Sequence, residues 1–201
     1  WMVLFKHSIT DGLLQTAIAM ADANKNYNAA HKVWVKGMMD MKRSAGTPIY
    51  PDANSTLRLT YGKVLPYEPA DGVEYGYYTT LKGAMEKEDP DNWEFVVPAK
   101  LKQLYQAKDF GRYAMPNDEM PICFIVNTDN TGGNSGSPVF NAKGELLGLA
   151  FDGNWEAMSS DILYEPKMQR TIGVDVRYIL FMIEKYGKAG NLIQELKLAN
   201  P

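Results

Sequence analysis

The sequence predicts a mainly β fold with helices: one six-stranded Greek-key barrel, preceded by a helical segment and closed by a C-terminal helix. Three observations predict it. From Leu13 to about Lys42 apolar residues recur at three- and four-residue spacing, whereas residues 56–174 hold several short alternating or apolar runs separated by turn residues. Asp175 then stands as an N-cap before the helical run Val176 to Tyr186, which Gly187 stops.

The elements follow in order. Leu13, Leu14, Ala17, Ile18 and Ala21, then Ala30, Trp34, Val35, Met38, Met39 and Met41, form two apolar stripes on either side of an Asn/Lys-rich stretch at Asn24 to Asn28. Two helices are expected, with the Met and Trp stripe in the core rather than a ligand box. Helical periodicity ends in Ser44 to Asn54, whose Gly, Pro, Asn and Asp content marks a boundary near residue 51. Thr56 to Val64 and Val73 to Leu81 alternate with period two and read as antiparallel strands, joined irregularly across Pro66, Pro69 and Asp71-Gly72. Asn54-Ser55-Thr56 fits a glycosylation sequon, but its simpler use is a turn. Leu81 to Glu88 and Ala99 to Lys108 read as short helices, followed by strands at 121–126, 138–140, 145–151 and 170–174.

Composition narrows the function. With 201 residues, 45% hydrophobic and 22% charged, the chain can bury a sizeable core, and a net charge of -3 supplies no general attraction for nucleic acid or an anionic membrane. No apolar run is long enough for a membrane span. A single cysteine, Cys123, sits inside an apolar strand, so an internal disulfide is excluded and the residue reads as a small buried hydrophobe. Neither His7 nor His31 has a His, Cys or carboxylate at metal-ligand spacing, so no metal is expected, and nothing in the pattern calls for a cofactor. Beginning at Trp1 without a cleavage pattern, the chain reads as a piece of a longer one.

The stretch Thr131-Gly132-Gly133-Asn134-Ser135-Gly136-Ser137-Pro138 lies between two apolar runs. Glycine tolerates positive φ, so such a turn can lift a hydroxyl into a cleft and aim successive N–H groups at one point. The competing readings are an ordinary loop and a phosphate loop; the second lacks a Gly-Lys-Ser/Thr ending and a following helix. The order Gly-Asn-Ser-Gly-Ser-Pro-Val, with the turn Asn141 to Glu145 and its return strand, resembles the Gly-Asp-Ser-Gly-Gly-Pro box of chymotrypsin-like serine peptidases. Ser135 is therefore the candidate nucleophile. Ala29-Ala30-His31 also resembles the catalytic-histidine segment of trypsin-like enzymes, but the residues on both sides of it read as helix and supply no barrel strands.

Taken together, Tyr50 to Arg58, Thr131 to Pro138, Phe151-Asp152-Gly153-Asn154-Trp155-Glu156-Ala157-Met158 and Arg170 to Tyr178 resemble the bacterial dipeptidyl-peptidase 7 and dipeptidyl-peptidase 11 family over nearly the whole chain. That resemblance implies a serine exopeptidase with a two-barrel chymotrypsin-like catalytic domain, interrupted by a helical insertion, acting in the periplasm or at the cell surface of Gram-negative bacteria. Residues 1–51 would be the end of the insertion and 52–201 the second barrel. Ser135 would form the acyl-enzyme and the N–H groups of Gly133 and Ser135 the oxyanion hole. The substrate, a peptide with a free N-terminus, would meet Phe151, Asp152 and Gly153, with Asp152 holding its α-ammonium group.

Two analogies disagree on specificity. Asp129 lies six residues before Ser135, where trypsin-like enzymes carry the aspartate that selects Arg or Lys. In the more closely resembling family the position of Gly153 separates the members: glycine leaves an open apolar pocket and arginine selects Asp or Glu. Gly153 makes the chain similar to the dipeptidyl-peptidase 7 members, preferring an aliphatic or aromatic second residue, and Asp129 is then turn chemistry. The resemblance places the catalytic histidine and aspartate in an N-terminal barrel outside these residues, so the fragment alone is expected to be inactive. It leaves open whether the full-length protein is a homodimer. The alternatives are a non-catalytic peptide-binding module and a trypsin-like or glutamyl endopeptidase.

Overall fold

A computed structural model describes residues 2–46, 50, 55–160 and 164–199, with the backbone alone described for 2–11 and 22. The chain divides into two compact units, Trp1–Pro51 and Asp52–Pro201.

In the first unit a single helix, α1 (Met2–Ser44), replaces the two expected. Asn and Lys at 24–28 cost only a few tenths of a kcal/mol each in a helix, and without a proline nothing there breaks the backbone ladder. Its described apolar side chains are not core: Leu13, Val33 and Met41 are more than half exposed and Trp34 is half exposed. A lone helix has no partner within its own unit to bury them. His31 stacks on Tyr27 one turn earlier, at 5.5 Å between centroids, consistent with a surface residue, whereas the side chain of His7 lies outside the described residues.

The second unit carries strands β1 (Tyr67–Ala70), β2 (Val73–Tyr75), β3 (Tyr78–Thr80), β4 (Pro121–Val126), β5 (Pro138–Phe140), β6 (Leu146–Gly153) and β7 (Thr171–Asp175). β1 and β2 form a separate hairpin; the other five make one antiparallel sheet in the order β3-β4-β7-β6-β5. The sheet is open as hydrogen-bonded, and the expected six-stranded closure is not seen among the described residues. The sequence reading differs in three places. Val73 to Leu81, expected as one strand, is divided between β2 and β3, which belong to different sheets, and Leu81 begins a helix. Pro69 lies inside β1, which a two-stranded hairpin permits because one side of each strand makes no ladder bond. Residues 57–66 form no strand beyond a single bridge, Val64 to Val126. Leu57 and Leu59 are 102% and 80% exposed, so the alternating pattern has no surface to cover, and side chains hold the segment instead: Lys63 N–H donates to Asn127 Oδ1 at 2.6 Å and Asp129 N–H to Thr60 Oγ1 at 3.1 Å. Of the sequon, Asn54 lies outside the described residues, and Ser55 takes the positive φ of a turn.

Helices α2 (Leu81–Glu86), α3 (Ala99–Gln106) and α4 (Val176–Phe181) build the core with Leu81, Val97, Leu101, Phe110, Tyr113, Met120 and Phe181. Phe110 meets Phe181 edge-on at 6.0 Å. Asp175 caps α4 as expected, accepting from Arg177 N–H at 2.8 Å, and the helix continues as a π turn, Met182–Tyr186, before Gly187. A last helix, α5 (Gly190–Gln194), was not evident from spacing. On the sheet, the Phe124 ring lies over Gly173 of β7 and Gly148 of β6; a Cβ at either glycine would come within 2.8 Å of it. That close approach lets β4, β7 and β6 stay in register behind the serine turn.

Arg170, at the entrance to β7, is 4% exposed and donates to five backbone carbonyls: Leu65, Pro66, Pro166, Lys167 and Gln169. Its guanidinium also lies 5.6 Å from the centre of the Tyr67 ring, and burial lowers its pKa from the usual value. One side chain thus joins the β1 hairpin, the 165–169 loop and β7. Arg170→Met, similar in length, would leave those carbonyls short of donors; a loss of about 3 kcal/mol of stability is expected, read as a lower thermal unfolding midpoint.

Candidate active site

The turn between β4 and β5 is built from local hydrogen bonds. Asn134 Oδ1 accepts from Thr131 N–H at 3.0 Å, Asn134 N–H donates to the Thr131 carbonyl at 3.2 Å, and Ser137 N–H donates to the Asn134 carbonyl at 2.9 Å. Gly133 and Gly136 take φ of 99° and 82°, a region that side chains with a Cβ rarely adopt. Open space surrounds both, so conformation and not crowding requires glycine. Ser135 between them is exposed.

Two bonds fasten this turn to β6: Gly136 N–H donates to the Ala150 carbonyl at 2.7 Å, and Ala150 N–H to the Ser137 carbonyl at 2.8 Å. Among the described residues, the N–H groups of Gly133 and Ser135 and the Ser135 hydroxyl make no hydrogen bond. The turn therefore leaves unspent three of the groups that acyl transfer by a serine uses, a hydroxyl and two amide donors.

Beyond Ala150, β6 is bulged: Ala150 faces Gly173 whereas Asp152 faces Ile172. The extra residue, Phe151, breaks the alternation, so Phe151 and Asp152 are both exposed in succession. The Asp152 carboxylate accepts from Gly153 N–H at 2.8 Å, and Asn130 Nδ2 donates to the Asp152 carbonyl at 3.4 Å. Gly153 lies against the 3-10 turn Trp155–Ser159; a Cβ there would come 3.1 Å from Ala157 Cβ. Asn154 fixes this wall: it accepts from Arg170 N–H at 2.8 Å and donates to the Met168 carbonyl and to Glu156, each at 2.8 Å.

The turn that carries Gly133 and Ser135 is thus fastened, through Gly136 and Ser137, to Ala150, the residue before the successive Phe151, Asp152 and Gly153. Asp129 is part of a different arrangement. It forms an ion pair with Arg58, the two side chains 15% and 7% exposed, which accounts for its charge without a basic substrate. The supporting residues Arg58, Asn130, Asn154 and Arg170 were not identified as such from sequence. Their partners lie up to 105 residues away, and no local pattern announces them. Cys123 is partly buried, which raises its thiol pKa and suits an inert residue. No group of His, Cys, Asp and Glu among the described residues could hold a metal ion.

The Peptidase S46 family model matches residues 1–198. The chain belongs to the Peptidase S46 family. Its S46 relatives include the dipeptidyl-peptidase 7 of Phocaeicola vulgatus, 58% identical over 89% of this chain and 24% of that protein. The Asp/Glu-specific dipeptidyl-peptidase of Porphyromonas gingivalis is 48% identical over 98% of this chain and 27% of its own length. Among solved S46 structures, that of Porphyromonas endodontalis DPP11 in complex with the dipeptide Arg-Asp superposes with a TM-score of 0.77 at 52% identity, over 84% of this chain and 24% of that one. The chain spans about a quarter of the length of these relatives. No helix among the described residues is long and apolar enough to cross a membrane.

Proposed function

We propose that the full-length protein carrying this chain is a serine dipeptidyl-peptidase that releases dipeptides from free N-termini. Ser135 attacks the carbonyl of the second residue. The oxygen becomes an anion as the tetrahedral intermediate forms, and the N–H groups of Gly133 and Ser135 receive that charge, each such donor being worth about 10²–10³ in rate. The amine then leaves with a proton, and water releases the dipeptide from the acyl-enzyme. The observation that carries the reading is the unspent hydroxyl and amide pair of the serine turn, fastened to the strand that ends in Asp152 and Gly153.

A histidine base and its orienting aspartate, outside these residues, complete the triad, so this chain alone is inactive. Residues 1–51 are the end of a helical insertion, and 52–201 are the second barrel of a chymotrypsin-like pair, closed in the full-length protein. The enzyme works in the periplasm or at the cell surface, as the resemblance implies.

Named relatives include both dipeptidyl-peptidase 7 and Asp/Glu-specific proteins. Gly153 decides between them here by leaving the pocket wall bare, so that an aliphatic or aromatic side chain fits without leaving a buried charge unpaired. Gly153→Arg requires Ala157 to give by a few tenths of an ångström, because of the 3.1 Å approach at Cβ, and its backbone φ is ordinary. The variant is expected to reverse the preference toward Asp or Glu at the second position, by about 10²-fold in the ratio of kcat/KM values. Paired Leu and Glu dipeptidyl chromogenic substrates measure it; an unchanged ratio counts against the pocket assignment.

A further inference from the structure

We propose that Arg58 is a positioning residue for the nucleophile turn, an inference that rests on the reading of Ser135 given above. The Arg58 guanidinium bridges both arms of the loop that presents Ser135. On the entering arm Nη2 pairs with the Asp129 carboxylate and Nη1 donates to the Asp129 carbonyl at 3.3 Å. On the other arm Nη1 reaches the carboxamide oxygen of Asn134, the residue immediately before Ser135, at 3.5 Å. That same oxygen accepts from Thr131 N–H at 3.0 Å and so closes the turn that contains Gly133.

Burial makes the arrangement more than a surface pair. The Arg58 side chain is 7% exposed and that of Asp129 15%. Withdrawing two charges from water is costly, and a buried ion pair often adds no stability over apolar residues of the same volume. What a planar guanidinium does add is fixed direction, because its donors form a rigid fork. Here the fork spans the loop, with its carboxylate partner six residues before Ser135 and its carboxamide contact one residue before it. The Ser135 hydroxyl and the two free amide donors depend on that loop for their aim, and a displacement of about 1 Å in such a constellation costs on the order of 10² in rate.

The test uses the full-length enzyme with two readouts: steady-state kinetics on a dipeptidyl chromogenic substrate, and the rate at which a small fluorophosphonate, which needs no dipeptide pocket, phosphonylates the serine. Arg58→Ala strands a partly buried carboxylate, so Arg58→Ala/Asp129→Asn accompanies it, and Asn134→Ala removes the contact from the turn side. In each variant that retains the wild-type circular dichroism spectrum, kcat and the phosphonylation rate are expected to fall together by about 10²-fold, with KM within about threefold of wild type. Arg58→Lys, which keeps the charge and loses the fork, is expected to recover only part of the loss. A folded Arg58→Ala/Asp129→Asn or Asn134→Ala enzyme with wild-type phosphonylation overturns the proposal. Ser135→Ala in the same assays separates the two readings: retained phosphonylation there overturns the nucleophile assignment itself, whatever Arg58 does.

Discussion

Ser135→Ala in the full-length protein is expected to lower kcat on dipeptidyl chromogenic substrates by about 10⁶-fold, the scale seen when a serine peptidase loses its nucleophile. The reason is visible in the turn. Gly133 and Gly136, at positive φ, hold Ser135 exposed while the bonds from Gly136 and Ser137 to Ala150 keep the loop on the sheet. Removing the hydroxyl leaves those bonds in place, so the variant should fold, and its KM or dissociation constant for a dipeptide should stay close to wild type. Loss of turnover with retained dipeptide binding is the signature of a missing nucleophile. Retained turnover would remove Ser135 from the mechanism.

On the proposal that Asp152 holds the α-ammonium group of the substrate, Asp152→Asn is expected to lower kcat/KM for peptides with a free N-terminus by about 10²–10³, from the roughly 3–4 kcal/mol that removing one partner of a desolvated charge pair costs. An exposed pair would contribute less than about 1 kcal/mol. Asp152 is exposed in this chain, with Gly153 N–H as its hydrogen-bond partner. The large effect therefore requires that bound substrate and the rest of the full-length protein exclude water around the α-ammonium group. Acetylated substrates offer the control. Wild type should cleave them poorly, and Asp152→Asn should cleave blocked and free peptides at comparable low rates. Wild-type activity that ignores acetylation would point to an endopeptidase and would release Asp152 from its role.

The legible part of the site was the contiguous part. Thr131 to Pro138 carries its own turn geometry, because the positive-φ positions, the Asn134 side chain and the small residues all lie within eight positions of one another. Strands β4 and β5 and the Asp175 cap were likewise readable, since an apolar run or a capping residue acts on its immediate neighbours. Residues 56–64 show the limit of that method. Their alternation promised a strand, yet Leu57 and Leu59 face solvent, and the segment serves to carry Arg58 to Asp129 and Asn134, 71 and 76 residues away. The expected break in α1 fails for a different reason: the asparagines at 24, 26 and 28 lower helix propensity only slightly, and none of them removes a backbone hydrogen bond.

The sequence by itself determined the family, the serine turn, and the neighbourhood of Phe151, Asp152 and Gly153, because each is written in consecutive residues whose chemistry is local. Only the tertiary structure decided how those pieces are aimed. The bulge that exposes Phe151 and Asp152 together, the five carbonyls gathered by Arg170 and the partly buried Arg58–Asp129 pair at the turn all depend on distant parts of the chain meeting. Hydrogen bonds and ion pairs act over a few ångströms of space, and spacing along the chain does not record which residues share that space.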